Sequence, residues 1–193
     1  MIKNSLKVVV LGIVGFFLLV YFTMPKNSNE NKNLDNKNVL NIDFIPKYLE
    51  IIGNNSYVSS ETYFQKNIEK YIIVLNHDSL ALFKDLYKYT NKNIILVANI
   101  SDTPWIIKQL AVDKKLEEMY KESKIPLIND SKGSFINSLN LDDKTQNKYF
   151  LYKLKNDGNI EKVKEGFVEL NILEKGISDQ NLKNSLEEIS KLF

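Results

Sequence analysis

The residues with the most evident chemical potential form one short run, Asn76-His77-Asp78-Ser79, in which the only histidine of the chain stands beside a carboxylate and a hydroxyl. These groups could act as a base, an orienting acid and a nucleophile. Adjacent side chains point in different directions, however, and catalytic triads normally assemble from distant segments. Asp78 or Ser79 is also explained by simple capping of a helix that runs to Tyr89. A polar ligand contact at this helix end is the third interpretation.

Composition excludes several kinds of site. The 193 residues include no cysteine and one histidine, so thiol redox chemistry, thiolate metal sites and histidine-rich metal sites are absent. The paired acids Glu117-Glu118, Asp142-Asp143 and Glu187-Glu188 lack calcium-loop spacing and indicate solvated faces. A formal charge of +2 with interspersed signs gives no nucleic-acid footprint. We predict no catalytic residue, no metal, no cofactor and no nucleic-acid partner.

The elements that must position the histidine run alternate between strands and helices. Continuous apolar runs predict buried strands at Tyr71–Leu75 and Asn93–Ala98. A helix from Asp102 towards Ser123, a short strand, a short helix, a hairpin turning at Asn156-Asp-Gly158 and a terminal helix from Asp179 follow. The order β-α-β-α-β-α-β-β-α predicts an α/β fold with a mixed sheet flanked by helices.

In open α/β sheets, ligands gather outside the carboxyl ends of the parallel strands. This rule selects one edge of the predicted sheet as a partner-binding or ligand-binding surface. Trp105, the only tryptophan, is a packing residue or, if exposed, an anchor for a partner. The candidate residues are Asn76, His77, Asp78, Ser101, Asp102, Trp105 and Lys148.

Two segments resemble parts of a known superfamily. The run from Ile125 to Leu139 (IPLINDSKGSFINSL) resembles the strand, D-x-x-G turn and short helix of thioredoxin-like proteins, in the version shared by peroxiredoxins and membrane-tethered cytochrome-maturation thioredoxins. Tyr149 to Gly166 is similar to the hairpin that follows in those families. The resemblance covers about Lys70 to Glu169 and implies a thioredoxin-like sheet.

The same resemblance implies an active site that this chain lacks. In these families a cysteine lies where the first buried strand meets its helix, and a cis-proline precedes the first hairpin strand. Here Asn76 to Ala81 contains no thiol, and Thr145 to Lys148 contains no proline. The resemblance is therefore to a degenerate member, and thiol-disulfide oxidoreductase or peroxidase activity is not expected.

The N-terminal segment predicts a membrane anchor. Val8 to Met24 holds no charge, and at 1.5 Å per residue it approaches the ~30 Å hydrocarbon core. A cleaved signal peptide is the alternative. We expect a cytoplasmic tail at 1–7, an anchor in the lipid bilayer at 8–24, a polar linker at 25–38 and the thioredoxin-like domain at 39–193. The expected location is a bacterial inner membrane, with the domain outside the cytoplasm.

Together these inferences predict a membrane-anchored, extracytoplasmic thioredoxin-like domain that lacks thiol chemistry and binds or assembles a membrane or periplasmic protein. The alternative is a cysteine-independent hydrolase or isomerase that uses His77. That enzyme would need a pocket around His77 with a carboxylate from another segment within hydrogen-bond reach. A spacer without any ligand is the third hypothesis.

Overall fold

The apolar runs of the sequence form the centre of a five-stranded sheet in this computed structural model, which describes residues 2–23, 40–54, 56–103, 107 and 112–193. Its strands lie in the order β5-β4-β3-β6-β7. They are β3 (Lys70–Leu75), β4 (Ile94–Ala98), β5 (Leu127–Asn129), β6 (Lys148–Leu154) and β7 (Ile160–Phe167). A separate antiparallel ladder pairs β1 (Tyr48–Leu49) with β2 (Val58–Ser59).

The sheet is mixed, as predicted. β3 is parallel to β4 and β4 is parallel to β5, whereas β6 is antiparallel to both β3 and β7. Ile73 and Leu75 are buried in one hydrophobic cluster, and Ile72 and Val74 are buried in the other. A strand covered on both faces explains why β3 is a continuous apolar run.

Six helices accompany the strands within the described ranges. They are α1 (Ile2–Thr23), α2 (Ser79–Phe83), α3 (Asp113–Tyr120), α4 (Ser134–Ser138), α5 (Ile172–Lys175) and α6 (Asp179–Ser190). Short 3-10 turns lie at Ile42–Phe44, Ser60–Thr62 and Leu86–Lys88.

Two helices differ from the sequence prediction. The helix expected to reach Tyr89 ends at Phe83, and the chain resumes as the 3-10 turn that begins at Leu86. Phe83 and Leu86 are both fully buried, so the apolar stripe that suggested one helix persists without continuous helical hydrogen bonding. The helix expected from Asp102 is described only from Asp113, because most of the intervening residues lie outside the described ranges.

The turn before α4 has the geometry that its sequence predicts. The Asp130 carboxylate accepts hydrogen bonds from the backbone N–H groups of Phe135 (3.0 Å) and Ile136 (2.9 Å). Gly133 has a φ of +71°, which a residue with a Cβ rarely adopts. The aspartate and the glycine of the D-x-x-G turn therefore have separate structural roles.

The predicted membrane anchor is contradicted. Residues Ile2–Thr23 do form a helix, but among the described residues no helix combines the length and apolarity needed to cross a membrane. The uncharged stretch from Val8 to Thr23 rises about 24 Å at 1.5 Å per residue, which is less than the ~30 Å hydrocarbon core. This finding overturns four predictions made from the sequence: a transmembrane helix, a signal anchor, an inner-membrane location and an extracytoplasmic domain. The predicted linker at 25–38 lies outside the described ranges.

Candidate functional site

Asn76, the first residue after β3, connects three segments at the predicted binding edge of the sheet through hydrogen bonds. Its side chain is 3% exposed. Nδ2 donates to the backbone carbonyls of Asp143 (3.1 Å) and Thr145 (2.8 Å), and Oδ1 accepts from Nδ2 of Asn99 at 2.8 Å. One amide thus joins the end of β3, the end of β4 and the loop that precedes β6.

The polar row continues across the sheet edge beyond Asn99. The Ser101 hydroxyl donates to Oδ1 of Asn99 at 3.2 Å. A Cβ built on Gly133 would lie 3.1 Å from the Cβ of Ser101, so glycine allows the D-x-x-G turn to approach this row closely. The predicted residues Asn76 and Ser101 are therefore connected through Asn99, which the sequence analysis did not select.

His77 and Asp78 form a contact between neighbouring residues. The imidazole Nδ1 lies 3.3 Å from Oδ1 of Asp78 and 3.2 Å from Nε2 of Gln146. The histidine side chain is 49% exposed, whereas the Asp78 side chain is fully buried. The imidazole is thus a half-exposed group that lies against a buried carboxylate.

Asp78 is the N-cap residue of α2, as one interpretation of the sequence predicted, but its side chain is used elsewhere. Asp78 makes no side-chain cap bond to α2; its Oδ2 accepts from the backbone N–H of Asn171 at 2.8 Å. The hydroxyl of Ser79 donates to the Asn76 carbonyl at 2.6 Å. The Asp78 carboxylate thus bonds to a backbone N–H group just before α5, far along the chain, and not to the N-terminus of α2 that the local sequence suggests.

Lys148 lies at the predicted edge but is occupied by the protein itself. Its ammonium lies 2.8 Å from a carboxylate oxygen of Asp143 and 2.8 Å from one of Glu165, and its side chain is only 11% exposed. Partial burial raises the pKa of Asp143, but hydrogen bonds from Lys148 and Thr145 outweigh it and lower that pKa to about 2. Lys148 therefore fastens the loop before β6 to β7 and is not presented to a partner.

An exposed ion pair crosses the edge. The Lys144 ammonium lies 3.0 Å from Oδ1 of Asp102, and both side chains are about half exposed, at 50% and 47%. Asp102 follows β4 and Lys144 precedes β6, so the pair connects two loops above the buried amide row. Exposed pairs of this kind contribute about 0–1 kcal/mol, so the pair can open to a competing partner.

These side chains surround an open cleft of about 370 Å³, called the His77 cleft below. Its lining comprises Asn76, His77, Asn99, Ile100, Asp102, Thr103, Lys144, Gln146 and Glu174. The structure therefore gathers Asn76, His77 and Asp102 in one cleft, with Asp78 buried behind it. Trp105 lies outside the described residues.

Sequence reasoning missed Asn99, Asp143, Gln146 and Asn171. In an asparagine-rich chain no local pattern distinguishes Asn99 from its many surface counterparts. Its position directly after the second buried strand was the available signal, because the rule that selected Asn76 applies to it equally. Within the described ranges no three His, Asp or Glu side chains lie close enough to hold a metal ion.

The sheet order fits the resemblance found in the sequence. β3 and β4 form a parallel βαβ unit through α2, and the β6–β7 hairpin closes the sheet next to β3. At the position where that resemblance implies a thiol, this chain has Asn76 and His77, and the described part of the chain contains no cis peptide bond.

Comparison with known proteins gives structural neighbours only. No protein-family model matches the chain, and no curated protein matches it. Bacterioferritin comigratory protein of Xanthomonas campestris is 10% identical, with 75% of this chain and 89% of that chain covered and a TM-score of 0.44. AhpC of Enterococcus faecalis is 16% identical, with 77% and 93% covered and a TM-score of 0.40. PrxQ of Xylella fastidiosa is 14% identical, with 79% and 93% covered and a TM-score of 0.43.

Proposed function

We propose that this thioredoxin-like domain is a protein-binding or assembly module that carries out no thiol redox chemistry and that engages its partner through the His77 cleft. The observation that carries the proposal is the use of Asn76. Where the fold places its thiol chemistry, this chain has a buried amide with three fixed hydrogen bonds. An amide in that position has no redox function, but it fixes the loops that form the cleft.

The cleft combines a fixed floor with an adaptable rim. Asn76 is buried, whereas the side chains of His77, Asp102 and Lys144 are each about half exposed. The rim presents a cation and an anion whose mutual attraction is weak, so a partner with complementary charges can replace it. Side chains of this kind favour recognition of a polar protein surface over capture of an apolar molecule.

Among the described residues, no hydroxyl nucleophile is hydrogen-bonded to His77, as the enzymatic alternative would require. The carboxylate within hydrogen-bond distance of His77 belongs to its neighbour Asp78, whereas an enzyme was expected to supply one from another segment. The Ser79 hydroxyl is fully buried and donates to the Asn76 carbonyl. Thr103 lines the cleft, but the imidazole contacts Asp78 and Gln146 instead.

Site-directed photo-crosslinking of the full chain in its native host tests the proposal. A benzophenone amino acid at Thr103, which lines the His77 cleft, should give a discrete protein adduct. The same probe at Asn156, in the exposed hairpin turn between β6 and β7, should not give that adduct.

Variants then test whether the cleft side chains are responsible. We expect His77→Ala combined with Lys144→Ala to reduce the Thr103 adduct at least fivefold. Lys164→Ala, which removes an exposed lysine from β7, should leave it unchanged. An adduct of equal yield from Asn156, or one that is insensitive to the double substitution, contradicts the proposal. Trp105→Ala tests the predicted anchor residue in the same assay.

Absence of thiol chemistry has its own test. Purified chain should show no catalytic consumption of hydrogen peroxide and no reduction of insulin disulfides above buffer, because it offers no thiolate. Turnover above the buffer rate that persists after repurification would refute this part of the proposal.

A further inference from the structure

A second cavity is lined in part by a residue close in sequence to α5. It measures about 280 Å³ and lies between the end of β7 and α6. Glu174 of α5 lines the His77 cleft, and Ile177, two residues beyond α5, lines this second cavity. We call it the Tyr149 pocket. Its volume is just below the ~300–1,000 Å³ range of small-molecule sites, so it suits a single side chain better than a cofactor.

The phenol of Tyr149 lines this pocket and lacks a hydrogen-bond partner in the described part of the chain. Tyr149 is 6% exposed, and its ring packs on Phe83 with centroids 5.0 Å apart. Its Oη would lie 2.5 Å from a Cβ at Gly166, so the ring takes this position only because residue 166 is glycine. Among the described residues, the only buried side-chain polar atom without a partner is Oδ1 of Asn129, so the Tyr149 hydroxyl is accessible from the pocket and open to a ligand group.

The charges that line the pocket are all negative. Glu169 and Glu188 are its only charged residues, and both are exposed. Neither carboxylate forms an ion pair within the described ranges, although nine lysine–carboxylate pairs occur there, including one made by Glu187. The field at the pocket therefore favours a cation.

The remaining lining suits the stem of a long basic side chain. Leu82, Ile177 and Ile189 provide apolar surface, and Phe167, which is 66% exposed, provides an aromatic face. Lysine and arginine bury an aliphatic stem while they keep the cationic head near water or anions. The Phe167 ring already makes a cation–π contact with the Lys148 ammonium, which lies 5.5 Å from its centroid.

We propose that the Tyr149 pocket binds the basic side chain, lysine or arginine, of a protein partner. The stem packs on the apolar lining, the cationic head lies between Glu169 and Glu188, and the Tyr149 hydroxyl accepts a hydrogen bond from it. The inference rests on the proposed function in taking a protein as the source of the side chain. Because Glu174 and Ile177 line the two cavities and are three residues apart in sequence, one partner surface can contact both.

Titration of isotope-labelled full chain with small probes, followed by NMR, tests the pocket without knowledge of the partner. N-acetyl-lysinamide and N-acetyl-argininamide carry the two basic side chains, and N-acetyl-norleucinamide is the neutral control. We expect millimolar binding of at least one basic probe, with saturable shifts at Tyr149, Phe167 and Ile177, and at least tenfold weaker binding of the neutral probe.

Matched variants on one helix identify the carboxylate that is responsible. Glu188→Gln should weaken binding of the basic probe at least fivefold, whereas Glu187→Gln, its neighbour outside the pocket, should not change it. Tyr149→Phe should weaken binding about threefold. Equal effects of the two glutamine variants, or equal binding of the neutral probe, would overturn the inference. If a basic probe binds but the Thr103 crosslink fails, the Tyr149 pocket proposal stands and the binding function proposed for the His77 cleft is rejected. If the crosslink forms but no basic probe binds, only the Tyr149 pocket proposal is rejected.

Discussion

Replacement of Asn76 by alanine should cost about 2–4 kcal/mol of unfolding free energy. The side chain makes three hydrogen bonds at 2.8–3.1 Å, and each contributes roughly 0.5–1.5 kcal/mol net. Alanine offers no replacement donor, but Asp143 is half-buried and Thr145 is exposed, so water can pair with their carbonyls after the substitution. The true value should therefore lie in the lower half of the range.

Two other asparagines provide controls for this prediction. Asn93 is exposed and donates one 3.3 Å hydrogen bond to the Glu69 carbonyl, so Asn93→Ala should cost less than about 0.5 kcal/mol. Asn99→Ala removes the bond to Asn76 and should cost roughly 1 kcal/mol. Because Asn76 and Asn99 share a hydrogen bond, their double-mutant cycle should give a coupling energy of about 0.5–1.5 kcal/mol.

Urea unfolding of each variant, followed by circular dichroism, measures these differences. Hydrogen exchange of the backbone amides from 143 to 148 provides a local readout, since Asn76→Ala should increase exchange in this loop more than in β4. A loss below about 1 kcal/mol, or a coupling energy near zero with Asn99, would refute the inference that Asn76 holds the edge together.

Three further predictions concern other parts of the domain. Gly166→Ala should cost about 1–3 kcal/mol in urea unfolding because its Cβ would lie 2.5 Å from the Tyr149 phenol, and no loss would show that the ring moves freely. The depressed pKa of Asp143, about 2, contributes stability that is complete above about pH 4 and is lost as pH falls towards 2. Asp143→Asn should therefore reduce the fall in unfolding free energy between about pH 4 and pH 2. The reduction should be about 1 kcal/mol or less, because the carboxylate is partly solvated. An unchanged pH dependence would contradict the ion pair with Lys148. Lys70 is 8% exposed and its pKa is lowered by burial. Lys70→Met should therefore leave the unfolding free energy at pH 7 unchanged or raise it, and any gain should shrink as pH approaches 10.5. A fall in unfolding free energy of more than about 1 kcal/mol at pH 7 would refute this.

The sheet was largely predictable because its signals are local. β3 and β4 are runs of apolar residues buried on both faces, and their short length and content of isoleucine and valine favour strands over buried helices. The Asn156-Asp-Gly158 turn also formed where expected, with Gly158 at a φ of +87°. Patterns that depend on a few adjacent residues therefore identified most of the sheet.

The site was less predictable because its partners are remote in sequence. The sequence placed Asn76 and His77 at one edge, but it assigned Asp78 to a helix cap that the carboxylate does not make. The Asp78 carboxylate accepts instead from Asn171, 93 residues away. The cap rule considers only residues within one helical turn, and it fails where a distant backbone N–H is available to a buried carboxylate.

The pairing of β3 with β6 has a consequence for the timing of partner recognition. Leu75 is opposite Tyr149, and Lys70 is opposite Leu154, so the central ladder joins segments separated by some seventy residues of intervening chain. Contacts of such high sequence separation form late, after the loop between them has been ordered. During translation the acceptors of the Asn76 amide, near residue 145, emerge long after β3. A ribosome-bound chain that ends before β6 therefore has no assembled His77 cleft, and the recognition proposed at this edge would distinguish finished molecules from nascent ones.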